Sequence, residues 1–531
     1  MRNCRLSILC NFMLFFYILY FNNYKPKILI KILKIATMTT IRNLIGVLSL
    51  LYVINIVSAQ INPYMTLEWR YLAREAINDI HISDLNGDGK REIIAASYDN
   101  HIHLISHNGS KIWKYNAKCA VFSVYAGDID NDGGDEILAG SCRPVHIFDY
   151  NMNLKSKFVT KDDVKKIITA DFDLDDKLDI IAVSGSMRDH TIYIFNDNFD
   201  ILWQKSFRGD FPWGIAISDL DGDGKKEVIV GSSYLMVYDN ERRLRWKFDT
   251  NTIYDLIVDD IDMDGGKEII VGTHPTLYVI TNDGNLKWKF NTFGTIKSVH
   301  ISDLEGDGEK EIIVGSDKLY LLDSKGNLIW DFDTNSSVNK VTSGDLDWDS
   351  IEEIVSGSKK IHVIDKSKEV EFEYSPYREV SDIEISDLDD DGKNELISAG
   401  KDFTVYCFKA REIYINQKRF YEFYERGKNL FDKGDYENAR IELEKAINIT
   451  KLPNTGISPD DINDCHSMLN KINSIISTST STLQTTLSTT PTTSSLLTTT
   501  TLEETRGFPV IYGVIFGVMI IIVAAILMKK R

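Results

Sequence analysis

The sequence predicts an all-β protein built as an eight-bladed β-propeller with four-stranded blades. The main observation is an acidic nine-residue loop that recurs eight times along the 531 residues. Successive copies begin 44, 43, 48, 41, 43, 42 and 42 residues apart, and such a period is typical of one four-stranded blade. The eight copies begin at Asp84, Asp128, Asp171, Asp219, Asp260, Asp303, Asp345 and Asp387.

Each repeat shows a pattern of four strands, here named A to D, with the acidic loop between A and B. In the sixth repeat, residues 298–302 lead into the loop and residues 311–315 form a β-branched run. An alternating segment, 319–322, and a final segment, 327–333, follow on either side of a Lys-Gly turn. Strand D usually carries Trp followed two residues later by an aromatic residue, which predicts packing of the indole between neighbouring blades.

The two ends of the repeat region predict how the ring closes. Residues 67–71 form a D-type segment with no A, B or C segment before it, whereas the eighth repeat ends after segments 396–399 and 404–408 without a D segment. Each end supplies the strand that the other lacks. We therefore predict a propeller over residues 60–409 that is closed by the N-terminal strand pairing into the last blade.

Charge and cysteine content narrow the class of protein. The formal net charge is −18 and no basic stripe is present, so we do not expect nucleic-acid binding. No Cys-x-x-Cys pair occurs, which excludes thiolate zinc and thioredoxin-like sites. Cys119 and Cys142 end the two predicted strands that flank the second loop, where either a cross-strand disulfide or two buried free thiols are expected.

The chemistry of the recurring loop is that of a calcium site. Oxygen-bearing side chains stand at positions 1, 3, 5 and 9, and Gly at position 6 permits a positive-φ turn, as in residues 84–92. An EF-hand has its last acidic ligand at position 12 and helices on both sides, whereas this loop ends at position 9 between predicted strands. Solvated Asp-Gly turns without a cation would concentrate repelling carboxylates in every copy. We therefore expect Ca²⁺ with a structural role, holding each A–B turn.

The loop resembles the FG-GAP/VCBS repeat of integrin-α-like calcium-binding propellers. The best match is residues 219–227, Asp-Leu-Asp-Gly-Asp-Gly-Lys-Lys-Glu, and the resemblance covers about residues 77 to 408. It implies up to eight structural Ca²⁺ ions held by loop positions 1, 3, 5 and 9. The implied ligands are Asp84, Asn86, Asp88, Glu92, Asp128, Asp130, Asp132, Glu136, Asp171, Asp173, Asp175, Asp179, Asp219, Asp221, Asp223, Glu227, Asp260, Asp262, Asp264, Glu268, Asp303, Glu305, Asp307, Glu311, Asp345, Asp347, Asp349, Glu353, Asp387, Asp389, Asp391 and Glu395.

Two loops depart from that pattern. In the third, Asp176 replaces Gly at position 6 and Asp179 replaces Glu at position 9. In the seventh, Ser350 replaces Gly at position 6. Because a side chain at a positive-φ position costs strain, the third and seventh sites are expected to bind calcium most weakly.

Strands C and D also resemble PQQ-type quinoprotein repeats, as in residues 319–330. This resemblance implies an alternative function, a membrane-tethered quinoprotein-like enzyme. The sequence contains no His-Glu-x-x-His, Gly-x-Ser-x-Gly or P-loop motif. We expect a non-enzymatic protein.

The chain ends predict export and membrane anchoring. Residues 38–59 have the charged, apolar and small-residue regions of a signal peptide, and residues 1–37 are either a misassigned translation start or an additional N-terminal anchor. Residues 508–528 are uncharged and long enough to span a bilayer, and the basic tail 529–531 follows them. With the Ser/Thr-rich stalk 478–507 before this span, the expected localisation is the cell membrane, single-pass type I, with an extracellular ectodomain.

Residues 410–477 change to a helical pattern. Gly427, Ala439 and Leu443 resemble the small and apolar positions of a single TPR hairpin, and a Ser-Pro dipeptide marks the start of a further helix. One hairpin and a covering helix are too few for a free-standing repeat array. We expect a spacer docked on the propeller rather than an independent peptide-binding module.

The functional surface is expected on the face opposite the acidic loops. The B–C and D–A connections share that face, and loops on a rigid scaffold commonly carry recognition. The longest connection, residues 207–213, has three consecutive residues, Phe-Pro-Trp, beside two charged residues. It also contains an Arg-Gly-Asp triplet, whose match to an adhesion motif is expected by chance and carries no weight. The candidate ligand-binding residues are Asp99, Arg143, Arg188, Trp213, Tyr234 and His274.

The leading functional hypothesis is a membrane-anchored, calcium-binding adhesion or ligand-binding protein. Its partner would be a surface protein or a glycan. Besides the quinoprotein-like enzyme, the remaining alternative is a passive structural component of the cell envelope.

Overall fold

The computed structural model describes residues 64–185, 190–207, 209–452 and 455–486. Within them, 32 β-strands form eight antiparallel four-stranded sheets, one for each acidic loop. Seven sheets consist of four consecutive strands, and the eighth combines strands from both ends of the repeat region. The predicted eight-bladed propeller with four-stranded blades is confirmed.

The blades follow one another along the chain, each with its strands in the order A, B, C, D. Blades 1 to 4 are β2 (Ile77–Ser83), β3 (Glu92–Ser97), β4 (His101–Ile105), β5 (Lys111–Asn116); β6 (Ser123–Gly127), β7 (Glu136–Gly140), β8 (Pro144–Phe148), β9 (Leu154–Val159); β10 (Val164–Ala170), β11 (Asp179–Ser184), β12 (His190–Phe195), β13 (Ile201–Phe207); and β14 (Gly214–Ser218), β15 (Glu227–Gly231), β16 (Tyr234–Tyr238), β17 (Leu244–Asp249). Blades 5 to 8 are β18 (Asp255–Asp259), β19 (Glu268–Gly272), β20 (Thr276–Ile280), β21 (Leu286–Asn291); β22 (Ser298–Ser302), β23 (Glu311–Gly315), β24 (Leu319–Leu322), β25 (Leu328–Phe332); β26 (Lys340–Gly344), β27 (Glu353–Gly357), β28 (Ile361–Ile364), β29 (Val370–Tyr374); and β30 (Val380–Ser386), β31 (Glu395–Gly400), β32 (Thr404–Ala410), β1 (Met65–Leu72).

The N-terminal strand closes the ring as its sequence predicted. β1 pairs antiparallel with β32, with Leu67 opposite Phe408 and Tyr71 opposite Val405. β1 therefore takes the place of strand D in blade 8, and every C strand of the propeller has a partner on its outer side. The closure removes the unpaired sheet edge that an open array would expose.

The core is built from the B and C strands, which have apolar residues on both faces. All five residues of β23, for example, are buried, because each face of this strand packs against a neighbouring blade. Such strands need a continuous β-branched run rather than alternation. This requirement explains the Ile- and Val-rich segments that follow each acidic loop.

The strand D tryptophans join neighbouring blades. The indole N–H of Trp69 donates to His107 O at 2.9 Å, and that of Trp288 donates to Ser324 O at 3.1 Å. Each acceptor lies in the C–D turn of the next blade, where a Gly also lies against the indole: a Cβ on Gly109 would be 2.5 Å from Trp69. The Trp and the turn Gly are therefore complementary parts of one inter-blade contact.

Three helices follow the propeller: α1 (Glu412–Asp432), α2 (Tyr436–Ile449) and α3 (Pro459–Thr486). The described chain divides into two compact units, and the second comprises residues 423–445 and 460–486. Within it, Gly427 lies so close to Leu443 that a Cβ would be 2.7 Å from the Leu443 Cγ. The helical region is confirmed, and the TPR resemblance stays a prediction.

The predicted localisation, a single-pass type I membrane protein, is corrected. In the part of the chain that the structure describes, no helix is both long enough and apolar enough to cross a bilayer. The physical reason is composition, since α1 and α3 carry charged residues such as Lys418 and Lys471 that are costly in hydrocarbon. The segments on which the prediction depended, residues 1–59 and 508–531, lie outside the described residues.

Candidate metal centres and the opposite face

The eight acidic loops share a common pattern of hydrogen bonds between their carboxylates and their backbone N–H groups. In every loop the position-9 carboxylate begins strand B and accepts the backbone N–H of position 2, at 2.8 to 3.3 Å. In seven loops the position-1 carboxylate accepts the N–H of position 6, at 2.7 to 3.0 Å. Positions 1 and 9 are thereby held on the same side of the turn.

The turn requires a left-handed backbone at loop positions 4 and 6. The sequence predicted this conformation only for position 6. Position 6 has positive φ throughout, including 67° at Asp176 and 71° at Ser350. Position 4 also has positive φ in all eight loops, although it holds bulky residues such as Leu174, Met263 and Trp348. Because these three residues disfavour that conformation, the third, fifth and seventh loops hold strain that the surrounding sheet must offset.

Several blades bring acidic groups together in a way that can hold a metal ion. In at least five loops, oxygens from positions 1, 3 and 9 all lie within 4.8 Å of one another. These groups are Asp128, Asp130, Glu136; Asp171, Asp173, Asp179; Asp219, Asp221, Glu227; Asp260, Asp262, Glu268; and Asp345, Asp347, Glu353. The predicted position-5 ligands are absent from these five groups, and their Oδ1 atoms instead accept the N–H of position 7.

The donor set fits a hard cation such as Ca²⁺. All three oxygens in each group are carboxylate oxygens, the ligand type that Ca²⁺ prefers. Three buried aspartate oxygens of the loops have no hydrogen-bond partner: Asp130 Oδ1, Asp260 Oδ1 and Asp347 Oδ1. A buried acceptor without a partner is costly, and a cation bound between positions 1, 3 and 9 would satisfy it.

Burial disfavours the ionised form of the position-9 carboxylates in the first and seventh loops. Burial raises the pKa of Glu92 to about 7. Burial first, and then the charge of Asp347, raises the pKa of Glu353 to about 9. The ionised form of these carboxylates is therefore disfavoured in the fold unless a positive charge lies nearby.

Cationic side chains of the chain itself enter six of the eight loops. Lys287 Nζ lies 2.6 Å from Asp262 Oδ2 and 2.9 Å from Glu268 Oε1, and Arg245 makes the equivalent contacts at 2.8 and 3.1 Å in the fourth loop. The other cations are Lys155, Lys366, Lys409 and Lys418. Within the described ion pairs, no cation reaches the carboxylates of the first or third loop.

The seventh loop is the most enclosed. Asp347 has only 1% of its side chain exposed and lies 3.1 Å from Lys418 Nζ of α1, which also pairs with Glu371 of β29. Arg419 donates to Asp347 O at 2.9 Å. Strain at Ser350 and the ammonium of Lys418 both oppose metal binding in the seventh loop. In the third loop, only the strain at Asp176 opposes it.

The opposite face places the six candidate ligand-binding residues in different environments. Trp213 is 48% exposed and packs on Phe211, with ring centroids 4.3 Å apart. Tyr234 is exposed, with the Lys247 ammonium 3.0 Å from its ring centroid. Arg143 and His274 are exposed in B–C connections, and Arg188 lies outside the described residues.

Asp99 is largely buried in contacts within its own blade, and its expected contact with a ligand stays a prediction. Its side chain is 3% exposed, and it lies 2.9 Å from Lys114 Nζ and 3.0 Å from His103 Nε2. Burial alone would raise the pKa of Asp99, but the hydrogen bonds from Lys114 and His103 hold it well below its usual range. The sequence could not show this, because Lys114 comes from strand D of the same blade.

Four further exposed aromatic residues stand on this face and were missed from the sequence. They are Tyr98, Tyr254, Phe293 and Tyr377, of which Phe293 and Tyr377 are 88% and 89% exposed. Each lies in a B–C or D–A connection. Their exposure could have been predicted from the sequence, because an aromatic residue in a short connection between strands lies too far from the core to be buried in it.

A disulfide joins Cys119 and Cys142, with 5.8 Å between their Cα atoms. Of the two alternatives expected from the sequence, the cross-strand bond is the one that forms. It links the D–A connection before blade 2 to the B–C connection of the same blade. Cys407 and Cys465 are buried free thiols.

Comparison with known proteins supports the repeat and the fold. The model of the FG-GAP-like repeat matches residues 84–139. No curated protein matches the chain. The crystal structure of the V. cholerae biofilm matrix protein Bap1 is similar with a TM-score of 0.50 and 14% identity, covering 65% of this chain and 91% of that chain.

Other solved structures are more distant. BamB from Moraxella catarrhalis has a TM-score of 0.46 and 13% identity over 65% of this chain and 97% of that chain. BBS1N in complex with ARL6DN has a TM-score of 0.42 and 11% identity over 64% of this chain and 94% of its own. The likeness to Bap1, at 14% identity, shows the fold alone.

Removing calcium should destabilise the propeller. A site saturated at a hundred times its Kd contributes about 2.7 kcal/mol, so loss of two such sites lowers Tm by an amount on the order of 5–10 °C in a domain of this size. Thermal unfolding with and without EGTA measures this. Add-back of Ca²⁺ should restore Tm and add-back of Mg²⁺ should not, whereas an identical Tm in EGTA would contradict structural calcium.

The internal cations should compete with calcium at their own loops. We expect Lys287→Met to lower the Tm of the metal-free protein, because it leaves Asp262 and Glu268 uncompensated, and to raise calcium affinity at that loop about tenfold, a change of about 1.4 kcal/mol. Calorimetric calcium titration measures the affinity. Lys289→Met is the control, since this exposed lysine of the same strand makes no ion pair with any described residue; equal effects of both variants would contradict the competition.

Proposed function

We propose that this protein is a calcium-braced binding scaffold that attaches to a surface protein or a glycan through the face opposite its acidic loops. The two ends of the propeller would then have separate tasks. One end holds the turns of the blades in place, and the other presents side chains to a macromolecular partner.

The observation that carries this proposal is the uneven distribution of exposed aromatic residues. In the described part of the propeller, seven aromatic side chains are strongly exposed. Six of them, Tyr98, Trp213, Tyr234, Tyr254, Phe293 and Tyr377, belong to the B–C and D–A end. The seventh, Tyr150, lies in a C–D turn at the acidic-loop end. Exposed aromatic residues are enriched where proteins bind partners.

The scaffold beneath these residues supports such a role. Most of the aromatic residues stand on short connections between paired strands, which limits the entropy lost when a partner binds, whereas Trp213 ends the longest connection. Aromatic rings also supply large contact areas with few rotatable bonds. The FG-GAP-like repeat and the fold shared with the biofilm matrix protein Bap1 are consistent with a ligand-binding or adhesion-type protein.

The structural role proposed for calcium is supported by the geometry of the loops. The position-9 carboxylate already accepts a backbone N–H and begins a buried strand, so it is committed to the fold. A cation at positions 1, 3 and 9 would neutralise buried charge and fix the A–B turn. We propose up to eight such ions, and their identity as calcium belongs to this proposal.

Removal of three aromatic side chains should abolish partner binding. We expect the triple variant Trp213→Ala, Phe293→Ala, Tyr377→Ala to bind its partner at least about tenfold more weakly, a loss of about 1.4 kcal/mol, with an unchanged Tm, because these side chains are exposed. The partner is first found by screening the folded protein against arrays of glycans and of surface proteins, and affinity is then measured by surface plasmon resonance.

The matched control is Tyr150→Ala, which removes an exposed aromatic residue at the other end. It should leave affinity unchanged. Equal loss in the control and the triple variant, or full binding by the triple variant, would contradict the proposed face. If no glycan and no surface protein binds in either array, the result would contradict the binding proposal and favour a passive structural component.

The proposal is also that the propeller binds without catalysing a reaction. The resemblance of strands C and D to quinoprotein repeats makes PQQ the relevant probe. We expect no absorbance of a bound quinone after incubation with PQQ and Ca²⁺ followed by gel filtration. A stoichiometric chromophore that co-elutes with the protein would contradict the binding-scaffold proposal and favour an enzyme.

A further inference from the structure

Each D–A connection has one residue at its tip, five positions after the strand D tryptophan or the residue that takes its place. In ring order from the junction of blades 8 and 1, the tip residues are Arg74, Lys118, Lys161, Arg208, Asn251, Phe293, Asn335 and Tyr377. Arg208 lies outside the described residues, and the other seven are exposed. Four consecutive tips are therefore cationic, and the next four are uncharged.

Backbone hydrogen bonds hold the tips in fixed positions. At Lys118, for example, the preceding residue Ala117 donates its N–H to Asn100 O in the B–C connection of the same blade, at 2.9 Å. The third residue after the tip, Val121, donates its N–H to Ser97 O at the end of strand B, at 3.1 Å. A fixed backbone presents the exposed side chain to a partner at a small cost in entropy.

Tyr98 stands between the first two cationic tips. Its N–H donates to Ala76 O in the connection of Arg74, at 2.9 Å. Its ring packs edge-on against Phe122 in the connection of Lys118, with ring centroids 5.8 Å apart. Because Tyr98 is still 49% exposed, a ring face is available to a partner beside these cations.

Two further bonds continue this row of cations. The disulfide described above joins the connection of Lys118 to the B–C connection of Arg143, which is also exposed. Thr160, which precedes the Lys161 tip, donates its N–H to Arg143 O at 3.0 Å. We call the four cations Arg74, Lys118, Arg143 and Lys161 the basic arc.

The basic arc keeps a net positive charge, although the whole chain has a formal charge of −18. Within the described part of the chain, Arg74, Lys118 and Arg143 make no ion pair. The nearby carboxylate of Asp99 is paired with a lysine of strand D at 2.9 Å. Glu75, next to Arg74, is an exposed carboxylate that offsets one of these charges.

We propose that the basic arc binds an acidic polysaccharide, an inference that rests on the proposed function and narrows its class of partner. Carboxylates of the polymer pair with the ammonium and guanidinium groups of the arc, and the apolar face of one sugar stacks on Tyr98. The cations stand at successive positions of a structural repeat. A polymer with charges at regular intervals matches that recurrence better than the irregular charges of a protein surface.

The test is surface plasmon resonance of the folded, calcium-saturated protein with three probes. They are hyaluronate, which has a uronate in every repeat unit, a neutral chito-oligosaccharide and the acidic polypeptide poly-L-glutamate. We expect hyaluronate to bind at least about tenfold more tightly than either of the others, a difference of about 1.4 kcal/mol. Added salt should weaken its binding, because the arc is exposed to solvent.

The outcomes separate this inference from the proposed function. No binding of hyaluronate, or equal affinity for the neutral chito-oligosaccharide, would overturn the acidic polysaccharide. Equal affinity for poly-L-glutamate would overturn it in favour of an acidic protein. In each case the proposed function still stands if the array screen finds a partner whose binding the triple aromatic variant loses.

Variants locate the site. Arg74→Gln combined with Lys118→Gln should weaken hyaluronate binding at least about tenfold, whereas Arg74→Lys combined with Lys118→Arg, which keeps both charges, should retain most of it. The matched control is Lys289→Gln combined with Lys359→Gln, which removes two exposed lysines outside the arc. Circular dichroism melting shows whether each variant is folded. If the folded Gln variant of the arc binds hyaluronate as wild type does, or if the control loses as much affinity, the assignment is wrong.

Discussion

The fold depends on one carboxylate per blade, at the ninth position of the acidic loop. This residue begins the central strand B, where both faces are covered by neighbouring blades, and it accepts the N–H of loop position 2. A carboxylate in such a place fixes the turn and sets the register of A against B. Burial raises the pKa of Glu92 to about 7, and burial together with the charge of Asp347 raises that of Glu353 to about 9. A nearby cation is the natural means of keeping it ionised.

The eight loops meet that need in different ways. Where strand D or a neighbouring turn supplies Lys or Arg, the carboxylates are neutralised by the chain itself, as Lys287 does in the fifth loop. The first and third loops have no such cation within the described ion pairs, so their carboxylates are left for protonation or a bound ion to neutralise. The repeat therefore looks uniform in sequence but is heterogeneous in charge balance. That heterogeneity comes from residues outside the motif that identifies the repeat: strand D supplies Lys155, Arg245 and Lys287, whereas Lys366 lies in a C–D turn, Lys409 in β32 and Lys418 in α1.

The sequence was sufficient for the blade count, the strand order and the closure, because each depends on a local pattern repeated eight times. It also placed the acidic positions 1, 3 and 9 that come together in at least five loops, whereas their role as metal ligands stays a prediction. It could not show that Asp99 is buried by Lys114, that Lys418 enters the seventh loop from a helix, or that the position-5 carboxylates turn away to bind position 7. These outcomes depend on side chains brought together by tertiary packing, whose partners are not fixed by sequence distance. The prediction of a membrane localisation depended on segments outside the described residues. It was wrong, because none of the described helices is long and apolar enough to cross a bilayer.

The pairing of β1 with β32 has a consequence for how the protein is made. Within the other seven blades, all partners are close in sequence, so each sheet can form as soon as its own strands have left the ribosome. Blade 8 differs, because Leu72 of β1 pairs with Thr404 of β32, which is synthesised much later. Throughout synthesis the first strand therefore remains without its partner, and the ring becomes a cooperative unit only when the last repeat has emerged. Truncation before β32 would leave seven formed blades and two open edges, a species prone to aggregate rather than a smaller version of the native protein.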